Sequence, residues 1–292
     1  MDLIGWMISA VSIIAELQSH VNHFKRHFIP GVTKNDLVLD VGSGGNPHLR
    51  ADVICDKFVE GLSHRDEPFV RDGRPLVIGD VHFLPFRDSA FDFVICSHLL
   101  EHLDGPHLAI AQLQRVAPRG YIEIPDEWYE KTWGRPFHKW FIHLEDGRLI
   151  FTAKKSPVFD NYLTAMSGKF ARKRGSGYLL FDARNSLRFV SLWWQEKVPF
   201  EIRGKPSAEA FSGIRTEGGM IDQSLSPKFF KALLRWLLMP KKKVDIWLLL
   251  ACPFCHGRVY PNQDRAVCSG CSSQFPIRDG VPVLLREKVI CT

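Results

Sequence analysis

The chain has 292 residues, enough for one large domain and one small one. Hydrophobic residues at 45% and charged residues at 24% are the balance of an ordinary globular protein, which excludes general disorder and collagen-like or coiled-coil fibres. A net charge of +6 permits an anionic partner, nucleic acid or a membrane surface, without demanding one.

Leu3, Met7, Val11, Ile14, Leu17 and Val21 recur every three or four residues, which predicts an amphipathic N-terminal helix within 1–30, ending before Pro30. Asp2 precedes its thirteen-residue apolar run and no Lys or Arg does, so neither a signal peptide nor a bilayer span of about 20 residues is expected. From Leu37 the pattern changes to short apolar runs separated by Gly, Pro and Asp. Strands are predicted at 37–41, 51–55, 76–78, 91–96 and 121–124, with a helix over 106–116. Buried strands alternating with helices imply an α/β fold with a parallel sheet. Only six residues separate Gly44 from Ala51, so any helix between the first two strands is very short. The main domain is read as 31–205, with an aromatic-rich insertion after about 126 and a hairpin turn at Glu145-Asp146-Gly147. Two further strands are expected between 187 and 202, around Pro199. A Gly/Ser/Glu-rich linker (206–226), a basic amphipathic helix (227–247) and a Cys-containing module (248–289) complete the chain.

The first predicted strand runs into Asp40-Val41-Gly42-Ser43-Gly44-Gly45-Asn46-Pro47. A glycine loop there lets backbone come close to a ligand at the carboxyl edge of the sheet. No Lys follows the glycines, against a triphosphate loop, and Pro47 stands where a dinucleotide loop has its third Gly. Leu39-Asp40-Val41-Gly42-Ser43-Gly44, Asp56 after the second strand, Gly79-Asp80-Val81 after the third, and Phe91 to His98 with the following Leu100-Glu101-His102-Leu103 together resemble class I S-adenosylmethionine-dependent methyltransferases, over Val38 to about Pro125. That resemblance implies a Rossmann-like sheet with helices on both faces and a cofactor pocket of Asp40, Gly42, Ser43, Gly44, Asp56, Asp80, Val81 and Ser97, with Asp56 on the ribose hydroxyls and Asp80 at the adenine amino group. The residue types suit a cationic sulfonium ligand without phosphate. Asp56 as a solvated strand-end acid and Asp80 as a turn cap are the alternatives. Asp92, before the fourth strand and at the far edge from the ligand, is expected to be structural.

Seven Cys is an odd count, and Cys55 and Cys96 stand alone in apolar runs, which reads as reduced thiols and a cytoplasmic setting. Cys252-x-x-Cys255 and Cys268-x-x-Cys271, twelve residues apart, have the spacing of two zinc knuckles; disulfides are the alternative, disfavoured by that setting. With Leu249 to Cys255 and Phe275-Pro276-Ile277-Arg278-Asp279-Gly280-Val281-Pro282-Val283-Leu284-Leu285, the module resembles the small zinc-ribbon activator subunit of tRNA, rRNA and release-factor methyltransferases and its bacterial single-domain relatives. That resemblance implies a stabilising lobe in cis, with no obligate partner and a structural Zn²⁺, since four Cys leave no open position.

Lys169, Arg172, Lys173 and Arg174, and Lys241 to Lys243, are charge runs whose default reading is a solvated face; an RNA groove or a peripheral membrane contact, the latter also for the 227–247 helix, are the sharper ones. His98, Glu101 and His102 follow the fourth strand at helical spacing, so a shared helix face is expected. His98 is read as the general base for an acceptor hydroxyl. A divalent-metal site on this trio would resemble the Glu-x-x-Glu-His of small-RNA 2′-O-methyltransferases, but His98 stands where that pattern has its first Glu. The expected reaction is methyl transfer to O or N of an acceptor, leaning to a small molecule or glycan/lipid precursor. RNA or a translation protein, and a non-catalytic binding module on the same scaffold, are the alternatives.

Overall fold

The computed structural model describes residues 29, 31–61, 68–156, 188–207, 209–211 and 242–290. Strands β1 (Val38–Val41), β2 (Val53–Asp56), β3 (Leu76–Gly79), β4 (Phe93–Ser97) and β5 (Arg119–Pro125) are almost wholly buried, as parallel strands covered on both faces must be. They pair in parallel in the order β3-β2-β1-β4-β5. Chain order therefore reverses between β1 and β4, and such a switch opens a crevice at the carboxyl ends of those strands. No helix joins β1 to β2 among the described residues, in keeping with the short spacing. Helix α1 (Pro106–Val116) starts with Pro in its first turn and buries Ala109, Ile110, Leu113 and Val116 against the sheet.

Strands β2 and β4 begin two residues later than the apolar runs predict. Two acids account for this: Asp52 Oδ2 accepts from Val38 N (2.9 Å) and Asp92 Oδ2 from Leu37 N (2.7 Å). Both satisfy donors at the start of β1 instead of continuing a ladder. Asp92 is thus structural, as its position suggested.

After β5, Asp126 caps α2 (Glu127–Trp133) by accepting from Trp128 N. Strands β6 (Trp140–Glu145) and β7 (Arg148–Ala153) form the expected hairpin, with Asp146 and Gly147 both at positive φ (48° and 75°), the twist-matched turn that Asp-Gly favours. Strand β8 (Phe189–Gln195) lies antiparallel on β5, and β9 (Phe200–Arg203) completes a three-stranded sheet with β6 and β7.

The cysteine module is a meander of β10 (Val259–Asn262), β11 (Arg265–Cys268), β12 (Gln274–Arg278) and β13 (Val281–Leu284). Strand β13 runs parallel to β3, with Val283 opposite Ile78 and Leu284 opposite Gly79, which extends the main sheet to ten strands among the described residues. Side chains reinforce the junction. The Arg286 guanidinium donates to Pro253 O and lies 3.5 Å from the Phe83 ring centroid, while Lys57 reaches both Glu287 (3.2 Å) and Asp80 (2.7 Å).

The expected N-terminal helix, the 169–174 charge run, nearly all of the 206–226 linker and residues 227–241 of the basic helix lie outside the described residues. No helix among the described residues is long and apolar enough to cross a membrane.

Candidate active site

A cavity of about 750 Å³ opens at the carboxyl ends of β1 and β4, and every residue expected at the cofactor lines it: Asp40, Gly42, Ser43, Gly44, Asp56, Asp80, Val81 and Ser97. The loop after β1 takes this shape because Gly42 and Gly44 adopt positive φ (71° and 53°). Asp40, buried at the loop's base, ties it down by accepting from His48 N (2.7 Å). Asp56, at the end of β2, accepts from Gly44 N (3.0 Å) and Phe58 N (2.8 Å). The Ser43 hydroxyl is buried with no hydrogen-bond partner among the described residues, an orphaned group that a polar ligand in the loop would satisfy. The glycine cradle, this hydroxyl and the two pocket carboxylates fit adenosylmethionine.

Asp80 caps the 3₁₀ turn Val81–Phe83 through His82 N (2.9 Å), the turn-cap alternative, and it also lines the cavity. Burial pushes its carboxyl up, but His82 and Lys57 outweigh this and hold it well below the usual carboxylate range. Since Lys57 also pairs with Glu287, the cysteine module is coupled to the cofactor side of the cavity.

Gly42 is constrained more tightly than a ligand contact alone requires. A Cβ there would lie 2.8 Å from Leu99 Cδ2, at a φ that L side chains resist. Gly42→Val is therefore expected to lose stability as well as ligand space. A thermal melt without ligand is expected to register a loss of roughly 2–4 kcal/mol, from left-handed strain plus overpacking. An unchanged melting temperature would show that Leu99 moves aside at no cost. A Cβ on Gly44 meets nothing within 4 Å, so Gly44→Ala adds backbone strain alone.

At the other end of the cavity, His98, Glu101 and His102 converge, but not on a shared helix face. His98 sits at φ 55°, anchored by its N–H to Glu123 O (2.8 Å), and the chain then enters a 3₁₀ turn, Leu100–His102. The left-handed residue, not helical periodicity, turns the His98 ring back toward Glu101. Its Nδ1 lies 3.5 Å from Glu101 Oε1 and its Nε2 3.5 Å from Glu123 Oε1, with Phe189 edge-on at 4.9 Å. Burial pushes the Glu101 carboxyl up, but the surrounding His98, His102 and His138 outweigh it and bring it to about 2.

Sequence reasoning missed four participants. Glu123, buried in β5, accepts from Ser97 Oγ (3.1 Å) and Tyr121 Oη (2.6 Å); an acid inside the apolar run Tyr121-Ile122-Glu123-Ile124 was its available signal. His138 and Glu130 reach the site, or its immediate support, from the aromatic insertion, with His138 Nδ1 2.7 Å from Glu130 Oε2. Arg188 packs its guanidinium over Phe189 and Tyr129 at the rim. No short motif marks these three, because tertiary folding alone brings them together.

In the C-terminal module, one ligand atom from each of Cys252, Cys255, Cys268 and Cys271 falls within 4.8 Å of the others. Cys252 and Cys271 sulfurs are 3.7 Å apart and Cys255 and Cys268 sulfurs 3.5 Å, far beyond a disulfide bond and close to the about 3.8 Å edge of a zinc tetrahedron with 2.3 Å bonds. A Cβ on Gly257 would come within 3.1 Å of Cys268 Sγ, so the knuckle needs glycine there. The donor set fits Zn²⁺.

Residues 39–124 match the family Methyltransf_11, described as a methyltransferase domain. Forty-two residues of the C-terminal region are 49% identical to a UPF0434 protein of Klebsiella pneumoniae, covering 14% of this chain and 70% of that protein. A demethylmenaquinone methyltransferase of Renibacterium salmoninarum is 30% identical over 114 residues, covering 37% of this chain and 46% of that enzyme. A solved protein of Bacillus halodurans is 19% identical, covering 33% of this chain and 47% of that one, with a TM-score of 0.27. The chain spans about half the length of these last two proteins.

Proposed function

This chain belongs to the UPF0434 family through its C-terminal segment and carries an S-adenosylmethionine-dependent methyltransferase domain over residues 39–124, and from that premise we propose that the whole protein transfers a methyl group from adenosylmethionine to an O or N of an acceptor bound beside His98. The observation that carries the reading is the two-ended cavity: the glycine loop with Asp40, Asp56 and Asp80 at one end, and His98 with Glu101 at the other, His98 being backed by Glu123. The cofactor supplies a methyl group on a cationic sulfonium. His98 would accept the proton that the acceptor loses as it takes that methyl group. Asp56 would hold the ribose hydroxyls and Asp80 the adenine amino group. Positioning would supply most of the acceleration, because one cavity would hold both the acceptor and the methyl carbon.

The acceptor is proposed to be a small molecule or a glycan or lipid precursor. A concave volume of about 750 Å³ walled by Tyr129, Phe137 and Phe189 supports this, as it is the size and lining of a small-molecule site. Cys252, Cys255, Cys268 and Cys271 would hold a structural Zn²⁺, keeping β13 against β3. The test is transfer of radiolabelled methyl from adenosylmethionine to fractionated extracts. Label in small-molecule or lipid fractions is the expected result, and label confined to RNA or protein would overturn the acceptor class.

A further inference from the structure

The acceptor end of the cavity holds a group that methyl transfer by His98 leaves unexplained. Glu101 is 1% exposed, and neither of its carboxylate oxygens has a hydrogen-bond partner among the described residues. A buried carboxylate without such partners is costly unless a cation faces it. What surrounds it are imidazoles held slightly too far away to hydrogen-bond well: His102 Nε2 stands 3.9 Å from Glu101 Oε1, and His98 Nδ1 3.5 Å.

Glu101, His102 and His138 each offer one ligand atom within a common 4.8 Å. Ligand atoms of a tetrahedral ion with bonds of 2.0–2.2 Å lie about 3.3–3.6 Å apart, so the set closes on an ion with inward shifts of about 1 Å or less. The support around it is also that of a metal centre. His138 Nδ1 is engaged by Glu130 at 2.7 Å, which leaves Nε2 as the nitrogen to offer an ion, and Glu130 is itself held by an ion pair with buried Lys154. A carboxylate on the far nitrogen of a ligating imidazole fixes its tautomer and raises its basicity. The His102 ring is stacked on Phe137 (5.4 Å, 12°) and meets His138 edge-on at 4.6 Å, so neither ring is free to swing away. Backbone pins the two segments together, with Lys139 N donating to Glu101 O at 2.8 Å.

We propose that Glu101, His102 and His138 form a second metal site, distinct from the four cysteines, that takes a divalent transition ion of the Zn²⁺ type. Two imidazoles and one carboxylate select such an ion over Mg²⁺, whose preference is for oxygen ligands. Three protein ligands leave a coordination position open, and all three residues line the cavity. That position would receive the acceptor's oxygen, lowering the cost of losing its proton to His98; this role, though not the site itself, rests on the methyl-transfer reading.

The probe is Zn²⁺ itself. Purified full-length protein dialysed against micromolar Zn²⁺ is expected to retain two ions per chain by elemental analysis. Glu101→Gln and His138→Asn should each retain one, with adenosylmethionine affinity within threefold of the parent. One ion per chain in the parent protein, or two in both variants, would overturn the proposal. Two ions in the parent, one in the variants and no adenosylmethionine binding in any of them would uphold the site and overturn the transfer reading.

Discussion

His98→Ala is expected to lower turnover by about 10²-fold or more, with adenosylmethionine affinity retained. The ring lies between the carboxyl groups of Glu101 and Glu123, at 3.5 Å each. Because His98 holds a left-handed backbone (φ 55°), Ala carries a conformational cost there that Asn, tolerant of that region, avoids. His98→Asn therefore separates chemistry from folding. Both variants should fall together in kcat while calorimetry with adenosylmethionine stays level. Turnover within a few-fold of the parent in His98→Asn would remove His98 from the proton transfer.

Removal of zinc is expected to cost more than the cysteine module alone. Structural Zn²⁺ in small modules contributes about 10 kcal/mol or more of apparent folding free energy. Here the module is not an appendage: β13 pairs with β3, Ala251 N donates to Pro85 O (2.9 Å), and Arg87 N donates to Leu249 O (2.9 Å). Its loss would uncover the β3 edge and free Lys57 from Glu287, loosening Asp80 at the cofactor end. A chelated, metal-free chain should melt about 10 °C or more below the loaded one and bind adenosylmethionine more weakly. Cys255→Ser with Cys268→Ser should reproduce this without chelator. An unchanged melt after verified removal of zinc would show that the four thiols do not staple the fold.

Much of the catalytic sheet was legible because its strands are buried on both faces and read as apolar runs between Gly, Pro and Asp. The glycine loop was legible because few residue types tolerate φ near +71° beside a side chain as close as Leu99. The acceptor end was only half legible. His98, Glu101 and His102 are close in sequence, but a helical period misdescribes them, since one left-handed residue and a 3₁₀ turn bring them together. His138 and Glu130 lie beyond β5 and reach the site through α2 and the approach to β6, a tertiary arrangement that local pattern does not encode. The continuity of β13 with β3 was hidden for the same reason: strand partners 205 residues apart leave no local trace.

Calorimetric titration of the full-length protein with adenosylmethionine, beside Asp56→Ala, tests the account at its centre. Asp56 joins β2 to the glycine loop through Gly44 N, and a charge-assisted pair to ribose is worth about 1.5–3 kcal/mol. The account predicts saturable binding of one cofactor per chain, weakened about 10- to 150-fold by Asp56→Ala. No binding by the parent protein, or equal affinity in the two, would contradict it.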